Sequence, residues 1–486
     1  MAVTLPARSR AVPVIAAVLT IGLLSVAGRY GPHRDELYFV VAGHHPQWGY
    51  PDQPPLTPLV AGVADRLAPG SLFALRLVPA LLIGAVVLLT ADLARELGGE
   101  RRAQVLAAIT VATGAAPLIA GHLLSTSTLD LFAATVVVRL AVGVLNRDAP
   151  RGWLWVGLAT GLGLENKTLL APLPVGLALG IALTPRLRPH LRSPWLWAGA
   201  AISVLLWAPN LWWQIENGWP QFTLAGSVRD EYGTVGGLVE LLVLQVFLLN
   251  PLGGFLVWKG LSGALRSRES GPARPIAIAY LFLLVLFVVT GGKAYYLVEL
   301  LVPLVAVGSV IVVRRWPPAR TVWFATAVVV TALFPLPAVL PVLPAQTYAR
   351  SFYPALSEDG LETIGWPQFA AQVRAVADAL PADQRRRAVV VTQNYGEAGA
   401  LIRYGGTPPV YSGHNGFGDW GPPPAGAGPV LYVSGQAPRA DVLPGCRRQA
   451  TLDTGVDNEE NGNGVWLCSA PPSWPRAWER LRHLTA

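Results

Sequence analysis

Charge is what this chain has least of. Of its 486 residues, 14% are Asp, Glu, Lys or Arg, against about 25% in an ordinary soluble domain. With 52% hydrophobic residues and a mean hydropathy of +0.43, that shortage excludes a soluble globular protein and marks a polytopic membrane protein. Lysine is scarcer still, three among 37 basic residues. The formal charge of +8 is no nucleic-acid signal, because arginine is confined to short loops between apolar segments. Two cysteines exclude a disulfide-dense scaffold. Both, Cys446 and Cys468, fall in the polar C-terminal part, where export would allow one disulfide. No HExxH or comparable ligand spacing is present to mark a metal site. Repeats of 20–50 residues are absent too.

What the chain does have is long apolar segments. By length and hydropathy about eleven spans are expected, near 11–28, 72–93, 103–120, 125–145, 153–165, 168–184, 195–213, 237–258, 275–291, 295–313 and 321–341. The first fits a retained anchor or a cleavable signal peptide, with Arg8 and Arg10 before it and Ser25-Val26-Ala27 at its end; the many spans that follow favour the anchor. Cation-rich loops alternate with cation-poor ones. The rich set includes Arg95, Arg101, Arg102, Arg147, Arg151, Arg186, Arg188, Arg192, Lys259, Arg266, Arg268, Arg274, Arg314, Arg315 and Arg320. The positive-inside rule places this set, and the N-terminus, in the cytoplasm. An odd number of spans puts the C-terminus outside. Residues 1–342 read as a transmembrane module and 343–486 as an extracytoplasmic α/β domain. In the latter, Ala388–Thr392 and Pro429–Ser434 read as buried strands, and Trp366–Leu380 and Glu397–Tyr404 as amphipathic helices.

That topology collects four chemistry-bearing stretches on the non-cytoplasmic side: the loop Arg29–Gly70, the turn Gly121–Asp130, the Glu165-Asn166-Lys167 junction, and Gly291-Gly292-Lys293-Ala294-Tyr295-Tyr296. Asp35 and Glu36 follow the uncharged run Ala11–Ala27. Carboxylates at the edge of a membrane are costly unless paired, hydrated or reactive. A solvated loop with local ion pairs to His33 and Arg34 fits the dipeptide; so does a catalytic base with a helper. Adjacent residues diverge by about 100° on a helix, so one carboxylate at most is the base. His44 and His45 of the same loop are weighed as metal ligands beside Asp35 and Glu36, without supporting spacing. Lys167 and Lys293 fit either snorkelling to headgroups or a phosphate clamp, the second with the hydroxyls of Tyr295 and Tyr296 as donors. Asp130 enters an apolar span and is expected to pair with substrate or with one of these lysines.

The order of these elements resembles the family 39-type glycosyltransferases of the GT-C fold, over roughly residues 10–340. That group includes the protein O-mannosyltransferases and the bacterial aminoarabinose and lipopolysaccharide-core sugar transferases. Asp35-Glu36 is similar to the family's acidic pair, Arg34 to its basic neighbour, and Gln53-Pro54-Pro55-Leu56 to its xPPL element. Lys167 resembles the lysine near the lipid phosphate, and Lys293 with Tyr295 the late basic-aromatic element. Glu165-Asn166 departs from the neutral Leu-Thr common in relatives. The resemblance implies an all-α polytopic GT-C-like module. It implies an inverting glycosyltransferase with a polyprenyl-phosphate sugar donor and a glycan, lipid or protein acceptor outside the cytoplasm. Asp35 and Glu36 would be catalytic; Arg34, Lys167, Lys293, Tyr295 and Tyr296 would bind the donor phosphate; Gln53 and Asp130 would bind substrate. A divalent metal is neither required nor excluded. The competing readings are a transporter or flippase, for which no inverted repeat is seen, and a non-catalytic sensor with an exported domain.

Overall fold

The computed structural model describes residues 5–266 and 271–485. Arg268 lies outside the described residues. The chain divides into two compact units: Met1–Ala27, Gln53–Leu56 and Arg76–Leu336 form the first, and Gly28–Asp52, Thr57–Leu75 and Pro337–Ala486 the second. A linear cut near 342 therefore does not describe the folding units. The stretch after the first apolar helix folds with the C-terminal part.

The first unit is helical. Leu72–Glu96, Thr126–Arg147, Ala273–Thr290 and Ala294–Arg315 are each long and apolar enough to cross a membrane, and shorter apolar helices include Ala11–Val26, Thr168–Ala182 and Pro318–Leu333. Two stretches read as single spans are bent pairs. Arg101–Ala112 meets Ala115–His122 at 62°, and Val235–Phe247 meets Pro251–Arg266 at 95°. The second bend has a local cause. Pro251 disfavours helical backbone at the residue before it, and Asn250 takes φ +64° while its Oδ1 accepts from Gly253 N at 2.9 Å. Glycine sets one close crossing: a Cβ on Gly157, in the helix Trp153–Leu164, would lie 2.1 Å from Gly199 O in the helix Pro194–Glu216. Such small-residue contacts let apolar helices pack without a polar interface.

The second unit combines the helices Arg34–His44 and Leu56–Leu67 with an α/β layer. Its strands are β1 (Val389–Thr392), β2 (Val410–Ser412), β3 (Val430–Ser434), β4 (Arg447–Thr451) and β5 (Gly464–Cys468). They run in the order β2-β1-β3-β5-β4. β1 is parallel to β2 and β3, whereas β5 is antiparallel to β3 and β4. β1 and β3 are the two strands read from sequence, and the helices Trp366–Asp378 and Tyr395–Tyr404 match the two expected. Leu37 of the first helix packs with Trp366, Phe369, Val390, Leu401, Leu431 and Val465 in one core. Cys446 and Cys468 form a disulfide. By the chain-entropy account, closing a loop of this size stabilises by about 3 kcal/mol.

Candidate active site

Two constellations carry chemistry, one in each unit. In the second unit, the helix Arg34–His44 starts with a capping box. His33 Nδ1 accepts from Asp35 N at 3.2 Å, and Glu36 Oε2 accepts from His33 N at 2.9 Å. The box satisfies amide donors that a helix start leaves open, and the helix dipole favours both carboxylates there. Glu36 is fully buried and serves as the cap. Asp35 keeps 37% of its side chain exposed, and its Oδ1 accepts a 2.8 Å hydrogen bond from the Tyr395 hydroxyl. The two carboxylates thus have different environments, as their divergence on a helix requires.

Beside them lies an aspartate that sequence reasoning missed. Asp52 Oδ1 accepts from the Tyr38 hydroxyl at 2.8 Å, and its Oδ2 from Asn415 Nδ2 at 3.4 Å. The Tyr38 oxygen in turn accepts from Gly416 N at 3.2 Å. The Tyr38 and Tyr395 rings stack with centroids 4.9 Å apart, so two carboxylate–phenol pairs, Asp35–Tyr395 and Asp52–Tyr38, stand side by side. Burial pushes the Asp52 carboxyl up to about 7; hydrogen bonds from Tyr38 and Asn415 oppose the rise and the Asp35 charge adds to it. Burial, then the adjacent carboxylates, holds both phenols well above their ordinary range, so they remain neutral donors. His414 lies against the Tyr395 ring, centroids 4.6 Å apart. Burial, then His483 and Arg34, lowers it to about 3, so it is a neutral acceptor for Tyr395 N at 3.3 Å.

Arg34 is engaged by carboxylates. It pairs with Glu459 and, at 3.9 Å, with Glu362, and lies over the Tyr395 ring at 5.2 Å. Burial opposes its charge, but Tyr395, Glu459, Asp35 and Glu362 outweigh that and raise its affinity for the proton. The expected phosphate contact has to compete with these ion pairs. His44 and His45 do not join the acidic pair: His44 Nε2 is 2.9 Å from Asp65 Oδ2, while His45 bonds Val41 O at 3.0 Å and stacks on Trp420.

The first unit brings together three of the stretches collected by topology. Lys167 Nζ lies 3.7 Å from Asp130 Oδ2 and 3.4 Å from Ser127 Oγ. It also sits 5.4 Å and 5.2 Å from the ring centres of Tyr295 and Tyr296. Asn166 Nδ2 bonds Thr126 O at 2.8 Å, fixing the junction to the start of the Asp130 helix. Leu56 N donates to Glu165 O at 2.9 Å, which anchors the Gln-Pro-Pro-Leu segment to the same junction. Gln53 is 3% exposed, and neither end of its amide has a hydrogen-bond partner among the described residues. Lys293 lies over the Tyr232 ring at 5.1 Å. Sequence reasoning missed Glu299, an acid inside an apolar helix. It is buried, both its oxygens lack hydrogen-bond partners, and it interacts electrostatically with Asp130 and Lys167. Two acids, one lysine and a pair of phenols make a polar cluster in an apolar unit, a marker of function.

Residues 52–213 match the family model of dolichyl-phosphate-mannose-protein mannosyltransferases. No curated protein matches the chain. Among solved structures, ArnT from Cupriavidus metallidurans bound to undecaprenyl phosphate is 14% identical, over 95% of this chain and 98% of that one, with a TM-score of 0.61. AglB, the oligosaccharyltransferase of Archaeoglobus fulgidus, in complex with an inhibitory peptide and a dolichol-phosphate, is 14% identical over 82% of this chain and 64% of that one, TM-score 0.52. The mycobacterial arabinofuranosyltransferase AftD is 16% identical over 97% of this chain and 41% of that one, TM-score 0.52. The chain has the polytopic GT-C fold with a small C-terminal sheet.

Proposed function

We propose that this membrane protein is a glycosyltransferase that moves a sugar from a polyprenyl-phosphate donor to an acceptor outside the cytoplasm, with inversion. The observation that carries the reading is Asp35: a half-exposed carboxylate at a helix start, oriented by Tyr395 and backed by the buried Asp52–Tyr38 pair. The fold similarity to ArnT with undecaprenyl phosphate and to AglB with dolichol-phosphate and the mannosyltransferase match support a lipid-phosphate donor. Nucleotide sugars are cytosolic, so an outward-facing site needs a donor that has crossed the membrane. The cation distribution supports a cytoplasmic N-terminus and a C-terminal part outside.

Asp35 takes the proton of the acceptor hydroxyl as that oxygen bonds to the anomeric carbon. The anomeric C–O bond to the phosphate breaks on the opposite face, and its electron pair leaves on the phosphate. General base catalysis supplies about 10²–10⁴-fold, and fixed positive charge on the leaving phosphate often supplies more. Lys167 and Lys293, with the hydroxyls of Tyr295 and Tyr296, hold that phosphate. Asp130 sets the position of Lys167, and Gln53 offers its open amide to the substrate. Glu36 is a positioning residue through its cap on His33. Arg34 serves as counter-ion to Glu459 and Glu362.

The test is turnover. Purified protein in liposomes, given polyprenyl-phosphate sugars and envelope acceptors, should release polyprenyl phosphate in step with glycosylated product. Movement of the lipid between leaflets without bond cleavage would make it a flippase instead. Deletion of the gene with glycan and lipid profiling of the envelope identifies the acceptor.

A further inference from the structure

We propose that Glu362, Glu459 and Glu460 form a binding site for a divalent cation of the calcium type. One carboxylate oxygen from each lies within 4.8 Å of the others. That spread is comparable with the diameter of a calcium shell, whose oxygens sit about 2.3–2.6 Å from the ion.

The independent mark of a missing ligand is Glu460. It is fully buried, and neither of its oxygens has a hydrogen-bond partner among the described residues. A carboxylate taken out of water without donors is costly unless a cation neutralises it. Arg34 answers only part of this demand, since it is shared between Glu459 and Glu362. Three carboxylates thus share one guanidinium. Glu397 adds another acid beside Glu460, and it is already satisfied by Asn394 N at 3.1 Å and Asn463 Nδ2 at 3.0 Å. It therefore offers Glu460 no relief.

The rest of the geometry suits a hard cation. All three side chains are oxygen donors with no His or Cys among them, which selects calcium or magnesium over zinc. Glu460 and Glu362 are buried or nearly so, while 61% of the Glu459 side chain is exposed. One face thus stays open for entry and for the water ligands that calcium's six to eight positions require. Asn458 pins the loop that carries Glu459 and Glu460 onto the segment that carries Glu362: its Nδ2 donates to Ile364 O at 3.0 Å, and its Oδ1 accepts from Thr454 Oγ1 at 2.8 Å and Asn461 N at 3.1 Å. The bound ion would join two stretches distant in sequence beside Arg34, the first residue of the Asp35 helix. Ligands so far apart carry no spacing signature in the sequence.

Isothermal titration of the full-length, EGTA-stripped protein in detergent with CaCl2 and with MgCl2 tests this without reference to sugar transfer. Calcium is expected to bind once per chain at about 10⁻⁴–10⁻³ M or tighter, as in extracellular modules, and to raise Tm. Glu460→Gln should weaken it about tenfold or more, in keeping with the loss of a charged ligand. Glu459→Gln, at an exposed position that does not endanger folding, should do the same. No heat and no Tm shift up to ~10 mM calcium, an order above that range, would overturn the proposal. So would wild-type affinity in Glu459→Gln, or an equal response to magnesium.

Discussion

Raising the pH from 4 to 8 should cost this protein stability through Asp52. Burial, the largest cause, lifts the carboxyl from an ordinary 3.8 to about 7 in the folded chain. Below about 3.8 the group is protonated in both states and costs nothing. Between there and about 7 the unfolded chain loses the proton and the folded chain keeps it. The folded state then binds more protons, so stability falls as pH rises, and the loss is complete above about 7. Roughly three pH units at 1.36 kcal/mol each give an upper bound of about 4 kcal/mol. Asp52→Asn cannot titrate, so its stability should lack this component, whatever constant offset arises from the altered contact with Asn415. The assay is denaturant unfolding of both proteins in the same detergent from pH 4 to 8, read by tryptophan fluorescence. The wild-type curve should decline relative to Asp52→Asn by a few kcal/mol over that range. Parallel curves would refute the buried, proton-holding carboxyl.

Other changes probe the supports of the site. A Cβ on Gly399 would lie 2.8 Å from Leu37 Cβ, two residues past Asp35, so Gly399→Ala should cost about 1–3 kcal/mol by overpacking. Its kcat/KM should fall up to about 10²-fold as Asp35 is displaced, a loss seen in steady-state transfer assays at matched protein level. Tyr395→Phe removes the 2.8 Å donor from Asp35 while the ring can keep its stack on Tyr38; transfer should drop by about tenfold, equivalent to ~1.4 kcal/mol of a charged hydrogen bond, with little change in folded fraction by size-exclusion chromatography. Lys167→Met leaves Asp130 buried without its cation and should cost activity far more than donor-free membrane insertion, read by product formation against protein level. Cys446→Ser with Cys468→Ser should lower the stability of the second unit by about 2–4 kcal/mol, visible as faster proteolysis of purified protein.

Part of the first unit was legible because membrane solvent imposes simple rules. Apolar length marked helical stretches, but among the described residues four helices, or up to six with the bent pairs, are long and apolar enough to cross a membrane, against about eleven spans expected. Arginine placement assigned the stretches of Lys167, Asp130 and Tyr295-Tyr296 to one side, and the fold sets these residues near one another. Bends were not legible in a hydropathy count, since Asn250-Pro251 interrupts an otherwise apolar run. In the second unit the buried strands β1 and β3 stood out as apolar runs. β4 is an exposed polar edge and has no such signal. The companions of Asp35 were hidden for a different reason. Tyr395 is 360 residues away in sequence, and Asp52 lies in a Pro- and aromatic-rich loop, outside any motif. Glu36 was read as a helper in chemistry, and the fold uses it as a helix cap, which a His-x-x-Glu spacing could have signalled. Glu299 was visible as an acid in an apolar run but had no neighbour in sequence to give it a role.

The central claim rests on Asp35, and one measurement addresses it directly. Asp35→Asn preserves size and can still accept from Tyr395, but cannot take a proton. In liposomes with matched amounts of inserted protein, its transfer from a polyprenyl-phosphate sugar should fall by at least about 10²-fold, the lower end for loss of a general base, with donor binding retained. Transfer at near wild-type rate by Asp35→Asn would contradict the account.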